Sequence, residues 1–315
     1  MADFKILPAR DVADAFEPIA REHGGALMLP SLRNYAVETW AILDEDGRVF
    51  GGFNLEVIRL KSVKTLTVPE FHPHCALFCL PMEGSLVSVQ TRKKKLITEI
   101  ASFLKSRKEP IMEITFPSSW IDMQPFIWAG FHCTVKYTYQ FDLSGKELES
   151  RFSAKLRNSI KKAVKEEVEV DKGDKEELLS CLLSSSKNGG FDLNESQVIS
   201  IIDAAGAAGR IHLARHQGKV IAGAFSIVDD STEYYLFGGA DRKSNVGGSL
   251  AYILQQKMIR SQEEGRALFD FEGSMIQGVE RFFRDFGGTL TPYFQITKAP
   301  NWAIPLLRMR GRNEF

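Results

Sequence analysis

The sequence predicts an α/β protein of two similarly patterned halves, with mixed, mostly antiparallel sheets flanked by helices. Three observations carry that expectation. Each half holds a strand–turn–strand signature: Trp40-Ala41-Ile42-Leu43 and Val49-Phe50-Gly51-Gly52-Phe53-Asn54-Leu55 flank Asp44-Glu45-Asp46-Gly47, and Leu213 to Ile227 repeats it around Gln217-Gly218. Each half then places a helix before another strand. Finally, a glycine-bearing loop joins a strand to a long amphipathic helix in the second half only. Residue identity between the halves is low, so the likeness is one of pattern.

In chain order, Leu86 to Arg107 has helical spacing and stops at Glu109-Pro110. Ile111 to Phe116 alternates as a strand. Gln124 to Phe131 reads as a short helix ended by Gly130, and Val135 to Phe141 as an aromatic-rich strand. Glu147 to Lys165 reads as an amphipathic helix. Arg151, Lys155, Arg157, Lys161, Lys162 and Lys165 give it a basic face, and Phe152, Leu156, Ile160 and Ala163 an apolar one. Tyr234 to Phe237 is a buried-strand run, and Gly238 to Gly248 the loop. Ser249 to Glu264 is a helix closed by Gly265, and Phe269-Asp270-Phe271 a short strand.

Bulk properties bound the function. The 315 residues suffice for two ordinary domains. Apolar residues make up 44% and charged residues 25%, as in soluble globular chains. The 40 basic and 40 acidic residues cancel, which argues against a general nucleic-acid coat. No apolar run approaches the roughly 20 residues that cross a bilayer. Met1-Ala2-Asp3-Phe4-Lys5 lacks the form of a secretory signal, so a cytoplasmic protein is expected. Cys75-x3-Cys79 beside His72 and His74 has metal-ligating residue types. It reads more simply as a buried strand with free thiols, and no metal is expected.

The loop Arg242-Lys243-Ser244-Asn245-Val246-Gly247-Gly248 before Ser249 has the chemistry of an anion site. Free backbone N–H groups at a helix N-terminus, backed by cations, suit a phosphate or pyrophosphate. Arg242, Lys243, Asn245, Gly247, Gly248 and Ser249 are therefore the expected donor-binding set. Arg157 and Lys161, four apart on one helical face, are candidates for a phosphate or carboxylate on the acceptor. Tyr234 and Tyr235 are candidate hydrogen-bonding phenols, of which a strand turns only one toward a cleft. Glu272 follows a strand end and is the candidate acceptor of an amine proton. No histidine has triad spacing with a serine and an acid, which argues against a Ser-His-Asp hydrolase.

Several stretches resemble the FemAB and FemX-like acyltransferases, which are built from two tandem GNAT-like domains. They are Pro125 to Phe131, Tyr137 to Leu143, Leu156-Arg157-Asn158-Ser159-Ile160-Lys161-Lys162-Ala163, Tyr234-Tyr235 before the loop, Phe269 to Ser274, and Phe282-Phe283-Arg284-Asp285-Phe286-Gly287-Gly288. The resemblance covers most of the chain and implies GNAT-like domains at 1–145 and 146–315, the second carrying the donor site. It implies acyl transfer to an amine, with Phe283 and Arg284 joining the substrate-binding residues. The donor it implies is either acyl-CoA or aminoacyl-tRNA. The acceptor is a small-molecule or peptide amine, such as a peptidoglycan precursor in the Fem branch. Zero net charge and the lack of a coiled-coil arm favour acyl-CoA. The chain departs from the family at Arg284, where lysine is common, and its glycine loop matches the GNAT pyrophosphate pattern only loosely. The competing class is a non-catalytic binding protein on a degenerate GNAT fold.

Overall fold

The computed structural model describes residues 4–25, 27–28, 37–60, 62–69, 72–145, 147–189, 195–241, 243–273 and 275–303. They divide into two compact units, 4–136 with 292–303 and 137–291.

The first unit begins with β1 (Lys5–Pro8), α1 (Ala13–His23), β2 (Val37–Leu43), β3 (Val49–Leu60), β4 (Val63–Thr67) and β5 (Phe78–Cys79). α2 (Leu86–Ser106), β6 (Ile111–Thr115), α3 (Gln124–Trp128) and the start of β7 (His132–Asp142) follow. β2 and β3 form the expected hairpin, in which Gly47 takes the left-handed conformation at φ 77°. β4 and β6 pair in parallel, joined by the crossover that contains α2. Leu96, Ile97, Ile100 and Leu104 turn one face of α2 into a core with Phe53, Leu66, Met112 and Phe126.

The second unit takes in β7 from Tyr137, α4 (Ala154–Lys165), β8 (Glu169–Lys172), α5 (Lys175–Gly189) and α6 (Glu195–Ala205). It continues with β9 (Gly209–His216), β10 (Lys219–Val228), β11 (Thr232–Ala240), α7 (Ser249–Glu263), β12 (Leu268–Asp270) and α8 (Gln277–Arg284). β13 (Thr289–Lys298) begins here and pairs with β6 in the first unit's sheet through Gln295 to Lys298. Strand order in the second unit is β7-β12-β11-β10-β9-β8. β9, β10 and β11 form a meander, and β11 and β12 are the parallel pair, joined by α7. Meander, crossover helix and parallel strand thus occur once in each unit. The fold is mixed α/β with a mostly antiparallel sheet flanked by helices.

Two expectations shift in detail. The basic helix starts at Ala154, because the Ser153 hydroxyl accepts from the Leu156 N–H and caps it. Glu147 to Arg151 is not part of it: Leu148–Arg151 is a separate 3-10 turn. Gly238 and Gly239 belong to β11, so the loop proper starts at Asp241. Gly238 has no room for a side chain, since an added Cβ would lie 2.7 Å from both the Gly223 carbonyl and the Tyr235 hydroxyl.

Candidate functional site

The candidate donor loop lies in the second unit, where β11 runs on past its parallel partner. β12 pairs with β11 only from Thr232↔Leu268 to Tyr234↔Asp270, while β11 runs on to Ala240 and into the loop. Asp241 organises that loop. Its N–H donates to the Ile221 carbonyl at 2.8 Å, and its carboxylate accepts from Lys243 N–H at 3.0 Å and Ser184 Oγ at 2.9 Å. Hydrogen bonds from Lys243 and then Ser184 hold the Asp241 carboxyl below the usual carboxylate range.

Past Ser244 the pattern changes. Gly248 caps α7 in the left-handed conformation, φ 87° and ψ −1°, with no side-chain cap. An added Cβ would meet the Ser159 carbonyl oxygen at 2.2 Å, so α4 crosses directly over this turn. Gly247 has no such constraint: its φ is not positive and an added Cβ would meet nothing within 4 Å. Among the described residues, no hydrogen-bond partner takes up the amides of Gly247, Gly248, Leu250 or Ala251. Lys243, Asn245 and Gly247 are exposed. Ser249 is buried, and its hydroxyl turns back to the Val246 carbonyl at 3.3 Å. Arg242 lies outside the described residues. The matching helix of the first unit differs: the Ser85 hydroxyl caps α2 by accepting from Ser88 N–H at 3.2 Å.

α7 is fixed from behind by a buried network that no local sequence pattern predicts. Lys257 and Glu233 have 0% and 5% side-chain exposure. The Lys257 ammonium donates to Glu233 Oε1 at 3.0 Å, Ser226 Oγ at 2.6 Å and the Arg210 carbonyl at 3.2 Å. Ser226 and Ser261 in turn donate to the Glu233 carboxylate. Each ammonium proton has an acceptor, as a buried charge requires. These strand contacts hold α7 and hence its N-terminus.

Glu272 sits just past β12 with φ 60°, a conformation rare outside glycine. Asp270 holds it there by accepting from the Glu272 N–H at 2.9 Å. The Asp270 carboxylate also accepts from Thr138 Oγ1 at 2.5 Å and Gln140 Nε2 at 2.7 Å. Burial, then the nearby Asp270 charge, push the Glu272 carboxyl well above the usual carboxylate range, although the residue keeps some solvent contact.

The other candidates separate. The Tyr234 hydroxyl donates to Asp229 Oδ2 at 3.1 Å; burial, then nearby acids, hold it protonated. Tyr235 is in the core, its ring 5.8 Å from that of Phe283, and burial raises its pKa. Phe283 is buried, stacked on Phe271 at 4.7 Å. Arg284 is 61% exposed and 3.4 Å from Glu280. Arg157 and Lys161 line a cleft of about 400 Å³ between α4 and α7. In the first unit, burial holds the His72 and His74 imidazoles neutral, with pKa values near 3 and 4, and pushes the Cys75 thiol up to about 12. His74 Nδ1 accepts from the Ala76 N–H at 3.1 Å.

Residues 150–284, which contain the loop, α7 and Glu272, match the family model described as an acetyltransferase (GNAT) domain. This segment is similar to a GNAT domain. The whole chain is FemX-like in fold: it superposes on FemX with a TM-score of 0.61 at 15% identity, covering 88% of this chain and 91% of FemX. L-PGS from Bacillus licheniformis gives 0.56 at 13% identity, over 95% of each chain. The tandem GNAT protein from the clavulanic acid biosynthesis pathway, solved without AcCoA, gives 0.52 at 15% identity, over 95% of this chain and 99% of that one. No curated protein matches by sequence. Among the described residues no helix is long and apolar enough to cross a membrane.

Proposed function

We propose that the chain is a cytoplasmic N-acyltransferase that moves an acyl group from acyl-CoA to an amine on a small molecule or peptide. The observation that carries this reading is the uncapped start of α7 inside the GNAT-like segment. Its unpartnered amides and positive dipole end suit the phosphates of a donor, and the open space at Gly247 gives them access. The residues fit that group: Lys243 and Asn245 flank the loop, and Gly248 holds the turn against Ser159. The start of α2 in the first unit is capped by Ser85, so we place the donor in the second.

Transfer forms a C–N bond, breaks the bond between the acyl carbon and its carrier, and requires one proton to leave the amine. Glu272 is the proposed acceptor of that proton. A raised carboxyl pKa brings its basicity nearer to the working pH. Tyr234 is proposed as a positioning phenol: its hydroxyl donates to Asp229 Oδ2, and it lies near Asp270 and Glu272. Tyr235 and Phe283 act as core support for β11 and α8, and Arg157, Lys161 and Arg284 offer cations to an anionic substrate. The likeness to FemX favours a second reading, in which aminoacyl-tRNA is the donor and a peptidoglycan precursor the acceptor.

Calorimetry with CoA and acetyl-CoA tests the first reading. Micromolar to sub-millimolar binding is expected, weakened by K243A with thermal stability unchanged. An absence of heat at millimolar ligand rejects acyl-CoA and favours aminoacyl-tRNA or a binding role.

A further inference from the structure

The start of α2 and the short helix α3 carry apolar side chains that the core of the first unit does not use. The buried face of α2 begins at Leu96. Leu86 and Val87, more than two turns before it, are 73% and 72% exposed. Ile121, Ile127 and Trp128 are 68%, 54% and 69% exposed. Lys94 joins the two elements. Its ammonium donates to Gln124 Oε1 at 2.7 Å, pairs with Asp122, and lies 5.2 Å from the centre of the Trp128 ring. Val87, Thr91 and Lys94 follow one stripe of α2, and Gln124, Ile127 and Trp128 one side of α3. Ile121 adjoins Asp122, so the five apolar residues lie along one surface, from the start of α2 across Lys94 to α3. A single exposed apolar residue is ordinary, whereas a group of them marks an interaction face.

We infer that this face of the first unit docks on an anionic bilayer surface. Trp128, Ile127, Ile121, Leu86 and Val87 enter the headgroup boundary, and the cations of α2 meet lipid phosphates. The charge is complementary. Across 80–98 and 118–131 the cations Arg92, Lys93, Lys94 and Lys95 are opposed by two acids, Glu83 and Asp122, in a chain whose formal net charge is zero. Arg92 lies over the Phe50 ring and Lys93 over the Trp120 ring, at 4.9 Å each, so their stems pack while their heads stay near the surface. Tryptophan and lysine beside aliphatic side chains are the composition that settles at a membrane–water boundary. A protein partner fits less well, because the centre of a protein interface is depleted of lysine and here Lys94 stands in the middle. Binding of this kind is peripheral. It goes beyond the transferase reading and does not depend on which donor the second unit holds.

The experiment is co-sedimentation of the full chain with vesicles of phosphatidylcholine alone and of phosphatidylcholine with an equal amount of phosphatidylglycerol. The mixed vesicles should bind the chain at low salt, about tenfold or more tightly than the neutral ones, and release it as salt is raised. Ile127→Ser with Trp128→Ser should weaken that binding about tenfold or more, with thermal stability unchanged because both side chains are exposed. Lys95→Glu, at an exposed position, should weaken it about tenfold. With bromine-labelled acyl chains in the mixed vesicles, tryptophan fluorescence should be quenched, and Trp128→Phe should remove most of the quenching. Absence of sedimentation with the mixed vesicles at low salt overturns the inference and turns this face toward a protein partner. Equal affinity for the two vesicles, binding that survives Ile127→Ser with Trp128→Ser, or quenching unchanged in Trp128→Phe overturns it as well. CoA binding that fails while vesicle binding persists rejects the acyl-CoA reading alone.

Discussion

Adjacent glycines in the loop should respond to alanine in opposite ways. At Gly248 the added methyl requires a left-handed backbone at φ 87°, which costs about 1–2 kcal/mol for a residue with a Cβ. It would also overlap the Ser159 carbonyl at 2.2 Å, and overpacking against backbone adds about 1–3 kcal/mol. The sum is about 2–5 kcal/mol. At about 2–4 °C per kcal/mol for a unit of this size, Gly248→Ala should lower Tm by roughly 4–20 °C. Gly247 has neither constraint, so Gly247→Ala should leave stability unchanged or raise it by about 0.4–1 kcal/mol. Its methyl points into open space beside the unpartnered amides, so it should nonetheless weaken CoA binding, by tenfold or more. Thermal melts and CoA titrations of both variants are the assay. Equal Tm loss in both, or a Gly247→Ala protein that binds CoA like the wild type, would refute the reasoning.

Three other substitutions probe the parts that hold and work the site. Lys257→Met strands the buried Glu233 carboxylate and should cost about 3–5 kcal/mol in urea unfolding. Adding Glu233→Met should recover part of it, and a single-variant loss below about 1 kcal/mol would deny the network its role. His212 is buried, which lowers its pKa to about 3, with Lys257, Arg260 and Lys172 adding to the shift and Glu233 opposing it. The unfolded chain then takes up the proton first, so its contribution to stability is complete above about pH 6.5 and lost as pH falls toward 3. Histidine 212 to glutamine (H212Q) should show a smaller Tm drop between pH 7.5 and pH 5 than the wild type; parallel drops would exclude this source. Glu272→Gln should lower kcat by about 10²–10⁴ with CoA affinity intact, and should remove an acid limb that lies above the ordinary carboxylate range. An unchanged pH profile would remove Glu272 from the reaction.

Much of the fold was legible because it follows local pattern. The β2–β3 and β9–β10 hairpins, α2 and α7 all come from alternation, turn residues and helical spacing, and the structure places them within a residue or a few of those signals. The late start of α4 was also readable, from Ser153 as a cap, but the basic run upstream carried the helical pattern further. What sequence could not supply is contact between distant residues. Nothing local says that Gly248 meets Ser159, or that Tyr235 and Phe283 share a core. A lysine or glutamine on an amphipathic helix ordinarily marks its wet face. Lys257 is buried because partners on other strands await it, and Gln255 because α7 lies against α4 there. The one usable signal is that both fall among the apolar positions of α7, next to Leu254 and Met258.

The most direct test of the account is amide NMR of the chain during addition of CoA. Saturable shifts are expected at Gly247, Gly248, Leu250 and Ala251, whose N–H groups have no partner among the described residues, with Ser88, whose N–H donates to the Ser85 hydroxyl at the start of α2, unmoved. Shifts that spare the start of α7, or that appear equally at α2, would contradict it.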